Sequence, residues 1–347
     1  MRDANLARHP AVAIWEVTRA CDLCCVHCRA SATPRRDPRE LDTAAALDVV
    51  DQLAELAPGV VVLTGGDPFK RPDLERIVGA AVERGLRVAL APSVTPLLTP
   101  LALHRLAALG VSRIALSLDG PDVVTHDRFR GVPGSFERTR AAIEAVRDAG
   151  LPLQVNTSLT RQTVEHLPAT ADRVADIAPV LWSVFLVVPV GRAALAQQLG
   201  PDACERVFHF LYEWSERTGR AVKTTAAPAY RRVVVQRRRH AVPQERPAAV
   251  NDGKGFVFVS HTGEIQPSGF LPLSTANVRE TRLADVYRHS RLFRALRDEG
   301  RLGGKCGVCP FRSLCGGSRA RAYAVTGDFL AQDPACAYEP PGWATPA

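Results

Sequence analysis

In the 347 residues of the chain we expect no segment that directs a protein into or across a membrane. Its first ten residues, MRDANLARHP, contain no apolar signal region. The most apolar stretch, residues 180–190, is too short to span a bilayer and is interrupted by Ser183 and Pro189. Nine cysteines without a secretion signal favour the reducing cytosol, and metal ligation rather than disulfides. We therefore expect a cytoplasmic protein with no membrane partner.

Acidic residues are missing from one segment, between Arg217 and Gln244. Eight basic residues lie there, and they equal the whole net charge of +8. Such a run is either a solvated loop or a wall that attracts a carboxylate-rich or peptide substrate. Aromatic residues are not interleaved with the basic ones, so stacking support for nucleic acid is missing and this partner is disfavoured. The basic residues are Arg217, Arg220, Lys223, Arg231, Arg232, Arg237, Arg238 and Arg239.

Strand-like, β-branched runs alternate with amphipathic, helix-like stretches over residues 1–218. Strands that alternate with helices predict a parallel sheet buried on both faces, which places the chain in the α/β class. Residues 219–250 show no clear period and are expected to form a basic linker. Residues 251–347 then form a small α+β module with a hairpin (255–273), a helix (282–297) and a cysteine-rich tail. The strand-like runs are 11–17, 59–65, 87–93, 113–119, 151–159 and 180–189.

Three cysteines near the start, Cys21, Cys25 and Cys28, form a CxxxCxxC motif directly after the first strand-like run. Three thiolates at this spacing can bind three of the four irons of a cubane cluster, which leaves one iron open to a small molecule. A structural zinc site and a ferredoxin-like electron carrier are the alternatives, although zinc motifs usually contain CxxC pairs. Cys24 allows a second interpretation, in which Cys21, Cys24 and Cys28 form a CxxCxxxC motif.

Two further motifs place polar groups at the ends of predicted strands. The second strand runs into Gly65-Gly66-Asp67-Pro68, and paired glycines let the backbone approach a ligand closely. The fourth strand ends at Ser117 and Asp119, and Asn156 interrupts an otherwise apolar fifth strand. In a parallel barrel, chemistry lies at the carboxyl ends of the strands. These groups are therefore candidates for one site, and ordinary strand-end hydrogen bonding is the alternative.

The tail carries a second group of cysteines, Cys306, Cys309, Cys315 and Cys336. Four cysteines close a coordination sphere, so this site is expected to be saturated with protein ligands. Zinc is again the alternative, because a CxxC pair with two further cysteines is also typical of zinc sites.

The first cysteine motif, its position after a strand and the Gly-Gly-Asp-Pro segment together resemble the radical S-adenosylmethionine (SAM) superfamily. The resemblance implies a partial (β/α)6 barrel of the TIM type. It implies a 4Fe–4S cluster held by Cys21, Cys25 and Cys28, whose open iron chelates SAM. It favours Cys25 over Cys24, and it places His27 beside SAM rather than on iron.

The same resemblance assigns further residues to SAM. It implies that the backbone of Gly65-Gly66-Asp67-Pro68 receives the amino group, with Asp67 in place of the more usual Glu. It assigns Ser117 and Asp119 to the carboxylate and ribose of SAM, and Asn156 to its neighbourhood. The arginines after His126 are interpreted as capping the following turn.

Residues 312–333 resemble the C-terminal auxiliary-cluster (SPASM) region of enzymes that modify peptides or tetrapyrroles. The full pattern is CX2CX5CX3C, but Arg319 occupies its last cysteine position, and Ser268 stands where relatives often carry an upstream cysteine. Both missing residues belong to the first auxiliary cluster of full-length members. The resemblance therefore implies a reduced, twitch-like module with one auxiliary 4Fe–4S cluster held by Cys306, Cys309, Cys315 and Cys336, and two clusters in total.

The implied activity is reductive cleavage of SAM to a 5′-deoxyadenosyl radical, fed by a flavodoxin- or ferredoxin-type reductant. A closed auxiliary cluster suits oxidative chemistry, for instance decarboxylation. The chain most resembles the branch of haem d1 and alternative-haem biosynthesis, which predicts a tetrapyrrole or another carboxylate-bearing small molecule as substrate. The same branch contains peptide maturases, which form thioether or C–C crosslinks, so a peptide substrate is the alternative. A non-enzymatic iron–sulfur regulator that binds nucleic acid is a third interpretation, which does not explain the Gly-Gly-Asp-Pro segment.

Overall fold

The computed structural model describes residues 5–238 and 249–343. In these residues the strands are β1 (Val12–Thr18), β2 (Val61–Gly65), β3 (Val88–Leu90), β4 (Arg113–Ser117), β5 (Leu153–Leu159), β6 (Leu181–Leu186), β7 (Val222–Thr225), β8 (Phe256–Val259), β9 (Glu264–Gln266) and β10 (Ala276–Asn277). They form one sheet in the order β10-β9-β8-β1-β2-β3-β4-β5-β6-β7. Strands β1 to β7 are parallel to their neighbours and β8 pairs with β1 in parallel, while β9 and β10 are antiparallel.

Helices connect and cover the strands. They are α1 (Thr43–Leu56), α2 (Leu74–Glu83), α3 (Pro100–Ala108), α4 (Val123–Arg130), α5 (Ser135–Asp148), α6 (Leu167–Ile177), α7 (Pro201–Thr218), α8 (Tyr230–Arg237), α9 (Leu283–His289), α10 (Arg291–Arg297), α11 (Gly304–Val308) and α12 (Arg319–Thr326). None of the helices in the described ranges is long and apolar enough to cross a membrane.

The strand register separates a covered face of the sheet from an interior face. Trp15, Leu63, Leu90 and Ile114 are successive Cα partners on β1 to β4, and each is at most 1% exposed. This apolar row packs beneath the helices, where it belongs to the main core. Side chains alternate between faces along a strand, so the residues in between point into the barrel.

A polar row crosses the interior face at the other edge of the sheet. Ser117 on β4 is the partner of Asn156 on β5, which pairs with Ser183 on β6, which in turn pairs with Lys223 on β7. Residues in one register row of a parallel sheet point to the same side. The row therefore presents hydroxyl, amide and ammonium groups to the inside of the barrel.

The α/β class and the parallel sheet are confirmed, but the sheet is longer than six strands. β7 and α8 lie within residues 219–250, where a linker without a period was expected. β8 continues the sheet beyond β1, so the first strand after residue 250 joins the barrel sheet rather than a separate one. A strand of four residues gives too short a pattern to be recognised from sequence alone.

The basic segment also differs from its interpretation as an acid-free wall. Helix α7, which precedes it in sequence, supplies carboxylates to three of its arginines, and Arg239 lies outside the described residues. The pairs are Arg232–Glu205, Arg237–Glu213 and Arg238–Glu216.

Candidate active site

Cys21, Cys25 and Cys28 lie in the loop after β1, where the structure brings them together with Leu23 and Ala32 in a small cluster of their own. Cys21 and Cys25 are buried, and Cys28 is partly buried. The loop thus encloses three thiols at the carboxyl end of the first strand, as the motif predicts.

Backbone amides donate to two of these sulfurs. The amide of Leu23 donates to Cys21 Sγ at 3.4 Å, and the same sulfur lies 3.3 Å from Ser93 Oγ, whose own hydrogen goes to the Gly66 carbonyl. The amide of Ala32 donates to Cys28 Sγ at 3.5 Å. Donors directed at sulfur stabilise the thiolate, which is the form that binds metal.

Burial raises the pKa of the Cys21 and Cys25 thiols, and at Cys25 the guanidinium of Arg130 opposes that shift. Buried thiols of this kind are protonated near neutral pH until a metal replaces the proton. Cys24 is exposed, outside the small cluster that holds the other three cysteines of this loop. The spacing with Cys25 is thus the one that places every thiol inside.

Across residues 5–238 and 249–343, no group of three or more His, Cys, Asp or Glu side chains is arranged to hold a single metal ion.

Close contacts with neighbouring backbone leave no room for a side chain at Gly65 or Gly66. A Cβ at Gly65 would collide with the carbonyl oxygen of Thr18, and one at Gly66 with that of Ala20. The end of β2 therefore packs directly on the start of the cysteine loop. Ser93 completes the junction, since its hydroxyl donates to the Gly66 carbonyl at 2.8 Å and also touches Cys21.

Asp67 is turned into the protein, with a fully buried side chain. Its carboxylate accepts from Thr95 Oγ1 at 2.6 Å and from the Phe69 amide at 3.2 Å, which caps the short 3-10 turn Pro68–Lys70. Burial raises the pKa of Asp67, and these donors oppose the rise. The side chain fixes the β2 and β3 loops to each other, so only the backbone of this segment is available to a ligand.

Asp119 is also engaged within the protein. Its carboxylate accepts from the Ser158 amide at 2.6 Å and forms an ion pair with Arg130, and its own amide donates to His126 Nδ1 at 3.2 Å. Burial alone would raise the pKa of Asp119, but Arg130 together with His27, His126 and the Ser158 amide holds the pKa below its usual value. A contact of Asp119 with the ribose of SAM, which the sequence predicts, would therefore have to use hydrogen-bonding capacity of the carboxylate that Arg130 and the Ser158 amide leave free.

Arg130 corrects the interpretation that the arginines after His126 cap a turn. Its side chain is only 13% exposed, and Nη1 lies 3.8 Å from Cys25 Sγ. The guanidinium thus joins the end of β4 to the cysteine loop. Sequence reasoning missed this role because nothing local links Arg130 to a residue in the first cysteine motif.

His27 stacks on Phe129, with ring centroids 4.2 Å apart and an angle of 14° between the planes. Burial lowers the pKa of His27 to about 4, so the ring is neutral at neutral pH. Its Nδ1 atom is buried and has no hydrogen-bond partner among the residues that the structure describes. A neutral ring with one open nitrogen beside the thiols fits the predicted place next to a cofactor.

Asn156 and Ser117 lie on the interior polar row. Gln154 Nε2 donates to Asn156 Oδ1 at 2.7 Å, which leaves the Asn156 amide nitrogen to face the barrel. Both residues are partly accessible, in contrast to the buried Val155 between Asn156 and Gln154. They remain available to a bound molecule.

Arg192, in the loop after β6, secures the far side of the cysteine loop. Its Nε donates to the Cys25 carbonyl at 3.0 Å, and Nη1 donates to the Ala32 carbonyl at 2.8 Å. Its backbone amide also donates to the Cys28 carbonyl at 3.0 Å. Gly191 precedes it with φ +67°, and a side chain there would strike the loop.

A buried charge cluster ties the cysteine loop to the turn between β8 and β9. Glu16 Oε2 accepts from Arg29 Nη2 at 2.5 Å, and Glu16 Oε1 lies 2.9 Å from His261 Nδ1. Burial would raise the pKa of Glu16, but Arg29 and His261 hold it at about 2. The carboxylate is therefore ionised and fixes both partners.

The four C-terminal cysteines line one concave cavity. Burial raises the pKa of Cys315 to about 12 and that of Cys336 to about 11. The Gly317 amide donates to Cys315 Sγ at 3.4 Å. The structure thus gathers Cys306, Cys309, Cys315 and Cys336 from segments that are up to thirty residues apart in sequence.

Arg319 lies against this second site. Its side chain is buried, with Nη2 3.7 Å from Cys306 Sγ, and Nη1 donates to the carbonyls of Phe329 and Ala331 at 3.0 and 2.7 Å. The residue that occupies the missing cysteine position is therefore a fixed cation beside a thiol. Ser268, at the other missing position, closes a turn by accepting from the Leu271 amide at 3.2 Å.

These features fit an iron–sulfur cofactor with a small molecule beside it. The first loop offers three enclosed thiols, and the neighbouring His27 keeps an unpartnered nitrogen. A cysteine loop after the first strand of a parallel α/β barrel, packed on a Gly-Gly strand end, defines the radical SAM class of enzymes. The chain belongs to this superfamily, whose family model matches residues 15–174.

Three relatives place the chain within the superfamily. It is 38% identical over 340 residues to an AdoMet-dependent heme synthase of Methanosarcina barkeri, covering 95% of this chain and 97% of the relative. It is 40% identical over 337 residues to the enzyme of that name from Nitratidesulfovibrio vulgaris, with 94% and 92% covered. A PqqA peptide cyclase of Streptomyces rochei is 31% identical over 352 residues, with 95% and 90% covered.

A solved structure supports the fold. The chain superposes on Streptococcus suis SuiB bound to S-adenosylmethionine with a TM-score of 0.72 and 16% identity, covering 95% of this chain and 78% of SuiB. The predicted partial barrel is thereby confirmed, and the protein is a radical SAM enzyme that uses SAM and a 4Fe–4S cluster.

Two contacts of the site escaped sequence reasoning, and a signal existed for only one of them. Ser93 ends the third strand-like run, and the strand-end rule that selected Gly65 and Ser117 would have selected it too. Arg192 follows Gly191 in a loop without any motif, and no local signal identifies it.

Proposed function

We propose that this enzyme oxidatively modifies a tetrapyrrole or another carboxylate-bearing substrate, for instance by decarboxylating a propionate side chain. The observation that carries the proposal is the 38–40% identity, over nearly the whole length, with enzymes named heme synthase. The interior polar row, which ends at Lys223, supports it because it offers a cation to a carboxylate.

Cys21, Cys25 and Cys28 would hold the 4Fe–4S cluster, which when bound supplies the electron that cleaves SAM into methionine and the 5′-deoxyadenosyl radical. The backbone of Gly65, Gly66, Asp67 and Pro68, together with Ser117, Asp119, Asn156 and His27, would bind and orient SAM. Arg130 and Arg192 would keep the loop in place. A flavodoxin- or ferredoxin-type reductant in the cytoplasm would supply the electron.

The chemistry at a propionate balances as follows. Loss of a hydrogen atom from the carbon next to the ring, of carbon dioxide and of one electron converts the side chain to a vinyl group. The electron needs an acceptor, which is the chemistry that an auxiliary 4Fe–4S cluster at Cys306, Cys309, Cys315 and Cys336 would supply. The four cysteines around one cavity support this site.

A peptide substrate is the second candidate. The 31% identity with a PqqA peptide cyclase favours it, but that value is lower than the identity with the enzymes named heme synthase. The two candidates differ in substrate and in the bond that is finally made or broken, but both need the first cysteine loop.

The first experiment is anaerobic reconstitution with iron and sulfide, followed by SAM and dithionite and quantification of 5′-deoxyadenosine. We expect deoxyadenosine from the wild type and from Cys24→Ala, and none from Cys21→Ala, Cys25→Ala or Cys28→Ala. Cys24 is the matched control because it is an exposed cysteine in the same loop. Loss of activity in Cys24→Ala with retention in Cys25→Ala would overturn the ligand assignment.

The substrate is tested by adding iron coproporphyrin III to the reconstituted enzyme and following the porphyrin by mass spectrometry. Conversion of propionate to vinyl, with deoxyadenosine formed in step, is the expected result. Deoxyadenosine without any change in the porphyrin would exclude it as the substrate and would favour a peptide.

A further inference from the structure

Lys223 on β7 is an interior residue whose role the cofactor site leaves open. Its Cα partner is Ser183, which pairs with Asn156, so its side chain points into the barrel at the level of the groups assigned to SAM. On the covered face, Trp182, the Cα partner of the adjacent Val222, is fully buried, whereas the Lys223 side chain keeps part of its surface accessible. Lys223 lines an internal space.

That space is a cavity of about 570 Å³ beside Lys223. It lies between β7 and the segment that contains β8, two parts of the barrel that are not neighbours in the sheet. The cavity is therefore the gap at which the barrel stays open. Its walls are mainly apolar, and they include Val222, Tyr230, Val234, Val235, Phe256 and Phe270.

The charges around this cavity leave an ammonium without a counter-ion. Lys223 forms no ion pair with any described residue, although three other charged side chains line the same walls. Each of those three has a partner elsewhere: Arg238 pairs with Glu216 at 2.9 Å, Arg231 donates to the Leu314 carbonyl at 3.1 Å, and Asp252 accepts from the Ala320 amide at 2.9 Å.

The pKa of Lys223 is consistent with the lack of a nearby negative charge. The protein atoms that surround the ammonium in the cavity displace water from it, and this desolvation, with smaller contributions from Arg113 and Arg231, lowers the pKa of Lys223 to about 8. The side chain is still mainly charged at neutral pH, in surroundings that penalise the charge. An anion placed beside it would offset that penalty.

We propose that Lys223 binds a carboxylate of the substrate inside the barrel, while the body of the substrate packs against the apolar walls of the cavity. The ligand class is a large, mainly apolar molecule with carboxylate side chains. The inference rests on the proposed function where it names a tetrapyrrole as the ligand. The interaction with Lys223 and the cavity walls requires only an apolar molecule that carries a carboxylate.

The test is a binding titration of the anaerobically purified holoprotein with coproporphyrin III, followed by the shift of the porphyrin Soret band. Lys223→Met removes the cation at similar length and is expected to weaken binding at least about tenfold, the loss of one charge-assisted contact. Lys223→Arg keeps the cation and should retain binding. Arg217→Met, an exposed residue near the end of α7, is the matched control and should bind like the wild type. The tetramethyl ester of the porphyrin should bind wild type and Lys223→Met equally.

The outcomes separate this inference from the proposed function. Equal affinity of wild type and Lys223→Met for coproporphyrin III would overturn the role of Lys223 and leave the tetrapyrrole assignment standing. Absence of porphyrin binding by the wild type would remove the tetrapyrrole assignment. Lys223 is then tested by acetylation and peptide mass spectrometry in the presence of naphthoate, a simple apolar carboxylate. Protection of Lys223 but not of Lys70 would support the carboxylate site, and equal labelling would refute it.

Discussion

The two cysteine sites of this enzyme are built in opposite ways. Cys21, Cys25 and Cys28 come from one loop at the carboxyl end of β1, and an exposed fourth thiol, Cys24, stays outside. The C-terminal site collects its four cysteines from residues 306–336 around one cavity. A site with three ligands leaves room for a reactant, whereas one with four ligands is closed. Under the proposed function, the first site would therefore carry the chemistry and the second would transfer electrons.

Charge distinguishes the two sites as well. At the first, the guanidinium that reaches a thiol is Arg130, and Asp119 neutralises it. At the second, Arg319 donates to carbonyls as well as to Cys306 and forms no ion pair with a described residue, whereas Lys305 is paired with Glu339 at 3.0 Å. Fixed positive charge stabilises the more negative, reduced state of a cluster. With the proposed cluster bound, Arg319 would therefore favour the acceptance of an electron at the second site.

Cysteine substitutions test this division with the largest expected effect. Cys25→Ser should abolish SAM cleavage, because the loop loses a ligand of the site where SAM binds. Cys309→Ser should remove about four irons from the protein, the content of one cluster, yet leave SAM cleavage intact and stop substrate conversion. Iron analysis and deoxyadenosine quantification check both variants. If Cys309→Ser also abolished SAM cleavage, the two sites would not be separable in function.

Arg130→Met tests how the first site is held. Asp119 would keep its buried charge without its counter-ion, a situation that costs about 3–5 kcal/mol. We expect a corresponding fall in the free energy of unfolding, measured by urea denaturation of the metal-free protein. The pKa of Asp119 is lowered in the folded state, so its stabilising effect is present above the usual carboxyl range and fades as the pH falls below it.

The double variant Arg130→Met/Asp119→Asn is the control for that measurement. With both charges removed, much of the lost stability should return, and the remaining pH dependence should be weaker. An equal loss in the single and double variants would mean that the arginine acts through packing rather than through the ion pair.

Gly65→Ala tests whether the end of β2 must pack on the cysteine loop. Because the added Cβ would collide with the Thr18 carbonyl, we expect a loss of about 1–3 kcal/mol, the usual cost of overpacking. Gly79→Ala in helix α2 is the matched control. There the nearest atom is Leu109 Cδ2 at 3.6 Å, so alanine should stabilise the protein by roughly 0.5–1 kcal/mol. Thermal unfolding measures the change in stability of each variant, which should be a loss for Gly65→Ala and a gain for Gly79→Ala. A stabilising effect of Gly65→Ala would refute the close approach of β2 to the cysteine loop.

The sequence predicted what depends on local spacing. The two cysteine groups, the Gly-Gly strand end and the parallel α/β class follow from patterns within short windows. Asp119 shows the limit of such prediction. Its position at a strand end was recognisable, but its ion-pair partner Arg130 lies at the end of α4. Tertiary packing determines which buried charges form an ion pair, and no spacing rule in the sequence encodes it.

Tertiary packing also decides how many charges of the basic segment stay unpaired. Its arginines have no acid nearby in sequence, yet Arg237 and Arg238 find carboxylates on the preceding helix α7. Among the described basic residues of the segment that form no ion pair, Lys223 lies on the interior face of the sheet, on a strand too short to be foreseen. A net charge located by sequence therefore overstates the charge that a substrate meets.

Arg319→Gln tests the second site with the smallest expected effect. Glutamine keeps a donor but removes the positive charge 3.7 Å from Cys306 Sγ, so the auxiliary cluster should become harder to reduce, by on the order of tens of millivolts. A potentiometric titration followed by electron paramagnetic resonance measures the potential of each cluster. The cluster at the first site should not move, and Arg301→Gln, an exposed residue, should change neither potential. If Arg319→Gln left the auxiliary potential unchanged, the cation in the missing cysteine position would be a structural replacement for a ligand, and the charge contrast between the two sites would lose its functional meaning.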